Sequence, residues 1–218
     1  MSYSKEDAIR IVVECAEKYR NELDQRSLLF LCLDKHRKLY PYEFYFNGYN
    51  FLHLTGLRVH KTLTVDDEIG SSVLSAESFY QKCLSHRLSQ TDFEFAEDGT
   101  TPLKLDVLPA LLTKNLAASM IGDYNYNKPR LYTEKLAGGV KACVGFTIDE
   151  ITGHLVPNTV LKEDIRNNVQ SWVRVVAVFR KPISATKYEE ITYLAKNIEW
   201  KDQTMPEPFR YLKGLLMP

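Results

Sequence analysis

Apolar residues at Ala8, Ile11, Val12, Cys15, Tyr19 and Leu23 recur at three- and four-residue spacing. That period lays one apolar stripe along a helix within residues 1–27, and Ser4 followed by Asp7 marks its start. Leu28 to Leu33 is a continuous apolar run, the signature of a strand buried on both faces. Tyr42 to Phe46, after Pro41, alternates aromatic residues in strand fashion and suits a hairpin or a nearby pairing. Asn47, Gly48 and Asn50 break the pattern, and FLHLTGL then reads either as a short helix or as a loop against the sheet. Ser75, Ser78, Phe79, Cys83 and Leu84 predict a second helix. Thr101 and Pro102 have the character of a cap and first turn for a third helix through LKLDVLPALLTKNLA, kinked or interrupted at Pro109.

The second half reads as strands at Arg130–Leu136, Val140–Ile148, His154–Pro157, Trp172–Arg180 and Ile191–Leu194, separated by Gly138-Gly139, Gly153 and Pro182. Helices gathered early and strands gathered late predict an α+β fold: a mainly antiparallel central sheet with N-terminal and flanking helices. No repeat or long linker divides the chain, so residues 1–218 are expected to form one domain, with 199–218 as a C-terminal surface extension.

Composition narrows the function classes. Hydrophobic residues make up 44% of the 218 and charged ones 26%, ordinary globular proportions. No run approaches the roughly 20 apolar residues of a membrane span, and the N-terminus is charged throughout, so the expectation is a cytoplasmic chain without a membrane partner. Lys plus Arg and Asp plus Glu are 28 each, which removes the global field of a general nucleic-acid binder; any RNA contact must be local. Cys15, Cys32, Cys83 and Cys143 are scattered among apolar neighbours and read as buried free thiols. His53 and His60 are seven apart with no accompanying ligand cluster, so no metal site is expected. There is no GxGxxG, P-loop or GxSxG, and the adjacent carboxylates Asp66-Asp67 and Glu189-Glu190 diverge on regular elements.

Several strings follow one another in order along the chain: NFLHLTGL, FYQKCLSHRLS, DFEFAEDGTTPLKLDVLPAL, MIGDYN, LYTEKLAGGVKACVGF, LVPNTVLKEDIRN, and VVAVFRK followed by ITYLAKNI. Together, over about Leu28 to Ile198, they resemble the fourth subgroup of the phage barnase/EndoU/colicin/RelE-like nuclease domains. The resemblance implies a barnase/EndoU/RelE-like fold acting as a metal-independent endoribonuclease, or an RNase-type toxin of phage or mobile-element origin. It implies no cofactor. RNA, tRNA included, is the expected partner, together with a cognate inhibitor protein.

Such cleavage needs a base for the ribose 2′-hydroxyl, an acid for the leaving 5′-oxygen, and cations or amides around the phosphate. His53 titrates near neutrality and leads the catalytic candidates, with Thr55 and the Gly56 amide holding a phosphate oxygen; the plain alternative is a backbone-bonded histidine before a turn. Thr133 and Lys135 share one strand face, opposite Tyr132 and Glu134, and pair a hydroxyl with an ammonium. They bind phosphate or form a solvated face. Asn158-Thr159 reads as a helix cap with Lys162 nearby, and Arg166 lies four residues further on that helical face, although Glu163 and Asp164 are ordinary ion-pair partners for it. Lys82 and His86 are four apart on the second helix. Arg174 and Arg180 share parity along WVRVVAVFRK. Tyr132, Lys82, Asn158, Thr159, Lys162, Arg166, Arg174 and Arg180 are thus the RNA- or phosphate-binding candidates. The rival reading is a non-catalytic RNA- or protein-binding regulatory module on the same fold.

Overall fold

A computed structural model of the chain describes residues 3–59, 61–62, 72–126 and 131–217; His60, Asp66, Asp67 and Arg130 lie outside them. The chain opens with α1 (Lys5–Glu22), β1 (Arg26–Leu33) and β2 (Leu39–Phe46). A 3₁₀ turn at Gly48–Asn50 runs into the short α2 (Phe51–Thr55). Next come β3 (Leu57–Val59), β4 (Lys61–Thr62), β5 (Ser72–Val73), α3 (Ala76–Leu84), β6 (Phe93–Phe95) and α4 (Thr100–Leu111). The remaining elements are β7 (Met120–Tyr124), β8 (Lys135–Gly138), β9 (Cys143–Ile148), β10 (Leu155–Leu161), β11 (Val169–Pro182), β12 (Glu190–Leu194) and α5 (Lys213–Leu216).

Local chemistry accounts for the helix starts. Ser4 and Asp7 form a full capping box on α1, and Ser75 caps α3 by accepting from the Ser78 amide. At α4 the expectation differs from the structure. Gly99, at φ +71°, precedes the helix without a side-chain cap, while Thr101 lies in the first turn and its hydroxyl donates to the Gly56 carbonyl at 2.6 Å. Pro109 stands inside the last turn, and the helix ends at Leu111.

The expected mainly antiparallel central sheet is overturned. Strands in the order β1-β2-β10-β9-β8-β7-β11 close on themselves through a β1–β11 ladder, making a seven-strand mixed barrel with β12 added along the second half of β11. Two features absent from a count of strands produce closure. β10 meets β2 in parallel, through the Leu155–Phe44 bridge, so the early strands join the late ones. β11 is 14 residues long and pairs with β7 through its first part and with β1 through its second.

The β1 ladder carries a bulge at Val176: Leu31 faces Ala177 while Cys32 faces Val175. The extra residue reverses the alternation, which puts Val175 in the main core and Ala177 in the cluster on the other face. Arg174 and Arg180 therefore do not share a face as simple parity predicts.

The main core draws on every barrel strand, through Phe30, Phe44, Ile121, Ala137, Phe146, Val160 and Val178, and on all four of α1 to α4. Phe44 and Phe146 stack with ring centroids 3.9 Å apart beside the parallel bridge. A second cluster packs Leu29, Leu31, Val176 and Phe179 beneath Trp200, Met205, Phe209 and Leu212 of the C-terminal stretch. All four cysteines are free and buried; burial pushes the thiols of Cys15, Cys83 and Cys143 up to about 12 and raises that of Cys32 as well. No described helix is long and apolar enough to cross a membrane.

Phe146→Ala removes a fully buried ring from beside the parallel β2–β10 bridge of the barrel. It is expected to lower unfolding free energy by about 3–5 kcal/mol, read as a lower urea midpoint.

Candidate active site

The segment following β2 builds one wall of a cleft. Asn50 is buried and its Oδ1 accepts from the Asn47 amide at 3.0 Å, which fixes the turn leading into α2. In that helix Phe51, Leu52, Leu54 and Thr55 are buried, leaving His53 as the exposed residue. Gly56 ends the helix at φ +71°, a conformation that favours glycine, and a Cβ there would meet the Lys104 side chain at 2.7 Å. Lys104 crosses this point from α4, and its Nζ donates to the His53 carbonyl at 3.3 Å.

The other wall is the β9–β10 hairpin with residues preceding β8. The Asp149 carboxylate organises the hairpin turn, accepting from the amides of Ile151 (3.2 Å) and Thr152 (2.8 Å) and from the Thr152 hydroxyl (2.8 Å). These bonds hold its pKa below the usual carboxylate range, the Thr152 amide contributing most. In β10 the register slips between Pro157 and Thr159, so Asn158 is a bulged residue without a partner on β9. Its Nδ2 donates to the Tyr132 carbonyl, and its Oδ1 accepts from the Thr133 hydroxyl at 3.2 Å. The bulge thereby turns a ladder position into a brace for the Tyr132 backbone.

Between the walls lies a cleft of about 580 Å³ lined by His53, Tyr49, Asn50, Tyr132 and Asn158, and by Thr147 to Ile151, Val156 and Pro157. His53, Tyr132 and Asn158 thus meet from three distant parts of the chain. A hollow of about 330 Å³ beside the end of α4 is lined by Lys141 and by no histidine or carboxylate.

The His53 pKa lies below the ordinary imidazole value, first because neighbouring protein desolvates the ring and second because of the Lys104 ammonium. The Lys104 pKa is likewise lowered by burial. A ring that stays neutral near pH 7 and opens to a cleft is able to accept a proton.

The other candidates disperse. Thr55 is buried, its hydroxyl donating to the Leu52 carbonyl (2.8 Å) and accepting from the Leu57 amide (3.1 Å), so it faces no phosphate site. Thr133 is buried behind Asn158. Lys135 pairs with Asp123 and lies over the Tyr42 ring, 5.3 Å from its centroid. Asn158 and Thr159 are strand residues, not a helix cap, and Lys162 and Arg166 share no helix because only a 3₁₀ turn, Ile165–Asn167, follows. Lys162 pairs with Asp106, Arg166 with Asp164, and Lys82 with Asp92. His86 pairs with Glu17, and Arg180 with Glu22 and Glu190. Arg174 is exposed.

Sequence reasoning passed over Lys104, Tyr49 and Asp149. Lys104 carried one faint signal, a cation amid the apolar LKLDVL string; its approach to His53 exists only through the packing of α4 on α2.

Residues 11–197 match the family model described as phage-Barnase-EndoU-ColicinE5/D-RelE like nuclease 4. The chain belongs to this nuclease family. The match begins inside α1, ends just past β12 and takes in the whole cleft. Curated proteins yielded no match, and neither did solved structures.

Titration of the His53 ring protons by NMR is expected to give a midpoint below the ordinary imidazole value. Lys104→Met should raise that midpoint without restoring it fully, because desolvation, the larger cause, persists.

Proposed function

We propose that this member of the nuclease family cuts RNA endonucleolytically at the His53 cleft, by attack of the ribose 2′-hydroxyl and without a metal ion. The observation that carries the reading is the placement of an exposed His53 in a cleft that also gathers Tyr132 and Asn158, with its imidazole pKa lowered by desolvation and by Lys104. Neutral His53 takes the 2′-hydroxyl proton. The 2′-oxygen bonds to phosphorus as the bond to the 5′-oxygen breaks, leaving a 2′,3′-cyclic phosphate and a 5′-oxygen that acquires a proton from water in the open cleft. Lys104 fixes the end of α2 through the His53 carbonyl, and its ammonium adds to the desolvation that lowers the imidazole pKa. Asn158 and Thr133 hold the Tyr132 backbone rather than phosphate. An RNase-type toxin of phage or mobile-element origin, with tRNA among its substrates and a cognate inhibitor protein, is the setting this chemistry suits.

One observation favours a second reading, a module that binds without cutting: the cleft wall carries Asp149 and Glu150, which repel a phosphodiester. Incubation with total RNA and with tRNA in chelator, followed by mapping of product ends, separates the two. Cyclic phosphate and 5′-hydroxyl ends are expected; a protein that retains RNA but leaves it intact belongs to the second reading.

His53→Gln and His53→Ala are expected to reduce metal-free cleavage about 10²- to 10⁴-fold in folded protein. Since the base must be neutral, the wild-type rate should fall as pH drops through the depressed His53 pKa, below the ordinary imidazole value, and stay level above it. A His53→Ala protein with normal rate and the same acid limb would remove His53 from the reaction.

A further inference from the structure

We propose that the cleft recognises an unpaired nucleobase by stacking on Tyr132 and Tyr49, making single-stranded RNA its substrate class. The inference rests on the RNA-directed reading of the same cleft.

Exposed apolar surface concentrates there. Tyr132 is 89% exposed, Ile151 94%, Ile148 53% and Tyr49 40%, and all four line the one cleft. An isolated exposed apolar side chain needs no explanation, whereas a group of them in a concavity marks a binding surface. Two of the four are aromatic, and they come from opposite walls.

Both rings rise from anchored positions. The Tyr49 hydroxyl accepts from Asn47 Nδ2 at 3.1 Å, and Asn47 Oδ1 accepts in turn from Gln25 Nε2 at 3.2 Å. The Tyr132 backbone is held by Asn158 while its ring stays in solvent. A platform held at one end loses little conformational entropy when a base settles on it.

Charge points the same way. The cleft lining holds Asp149 and Glu150 and no lysine or arginine among the described residues. Binding led by phosphate neutralisation needs cations in the groove, whereas base stacking on an aromatic ring does not. A paired base keeps its faces within the duplex, so the site selects loops, bulges and free strands.

The test measures affinity for a short single-stranded 2′-O-methyl oligoribonucleotide, which lacks the attacking hydroxyl and stays uncut. Tyr132→Ala is expected to weaken binding about fivefold to a hundredfold, Tyr49→Ala similarly, and Tyr132→Phe by less than about twofold. The ratio between wild type and Tyr132→Ala should be the same at low and high salt, and the same oligonucleotide annealed to its complement should bind more weakly than the free strand. Wild-type affinity in both alanine variants, equal binding of duplex and single strand, or no binding of single strand by the wild type would each overturn the inference. A His53→Ala background keeps this reading separate from the proposed chemistry: cleavage there should fall about 10²- to 10⁴-fold, while adding Tyr132→Ala should still weaken oligonucleotide binding about fivefold to a hundredfold.

Discussion

One parallel bridge, Leu155 to Phe44, joins β10 to β2 and turns a curved sheet into a ring. Every other barrel junction is an antiparallel ladder of several residue pairs. With so little backbone pairing at this seam, side chains carry the joint, and the stacked Phe44 and Phe146 rings sit beside it. Beyond Phe46 the chain turns at Asn47 and presents α2 to β10 in place of further strand. The cleft is therefore a product of incomplete pairing: a longer β2–β10 ladder would occupy the place where the histidine stands opposite the β9–β10 hairpin.

Charge is managed pair by pair. The chain carries 28 basic and 28 acidic residues, and several cations that look available in the sequence are held by carboxylates from distant segments, as Lys162 is by Asp106 and Arg180 by Glu22 and Glu190. Most such pairs are partly solvated and contribute little stability individually. Their larger effect is to leave the surface without a strong single-sign field, so the local environment of the cleft decides what binds there.

Elements governed by neighbouring residues were readable in the sequence. The helix starts at Ser4 and near Ser75 and the buried Leu28–Leu33 strand all depend on contacts or periods a few residues long. Barrel closure was not readable, because it depends on the parallel β10–β2 bridge and on β11 pairing with both β7 and β1, and two bulges hide which residues share a face. Val176 reverses the alternation of β11, and Asn158 interrupts that of β10; neither residue has a composition that announces a bulge. The same limit divides the site. His53 stood out as a polar residue in an apolar string, and it does face the cleft. The partners assigned to it came from nearby sequence, and Thr55, the nearest, is buried with its hydroxyl engaged. The lysine that tunes His53 comes from α4, 51 residues away in sequence.

The buried thiols give the molecule an internal clock. Thiolate is the reactive form of cysteine, and at all four positions burial both shuts out reagent and disfavours ionisation. Cys15 lies in α1, Cys32 in β1, Cys83 in α3 and Cys143 in β9, so helical layer and barrel each carry reporters. Labelling by a thiol reagent thus proceeds only as fast as each region opens, and the order in which the four sites react records the order in which the fold comes apart.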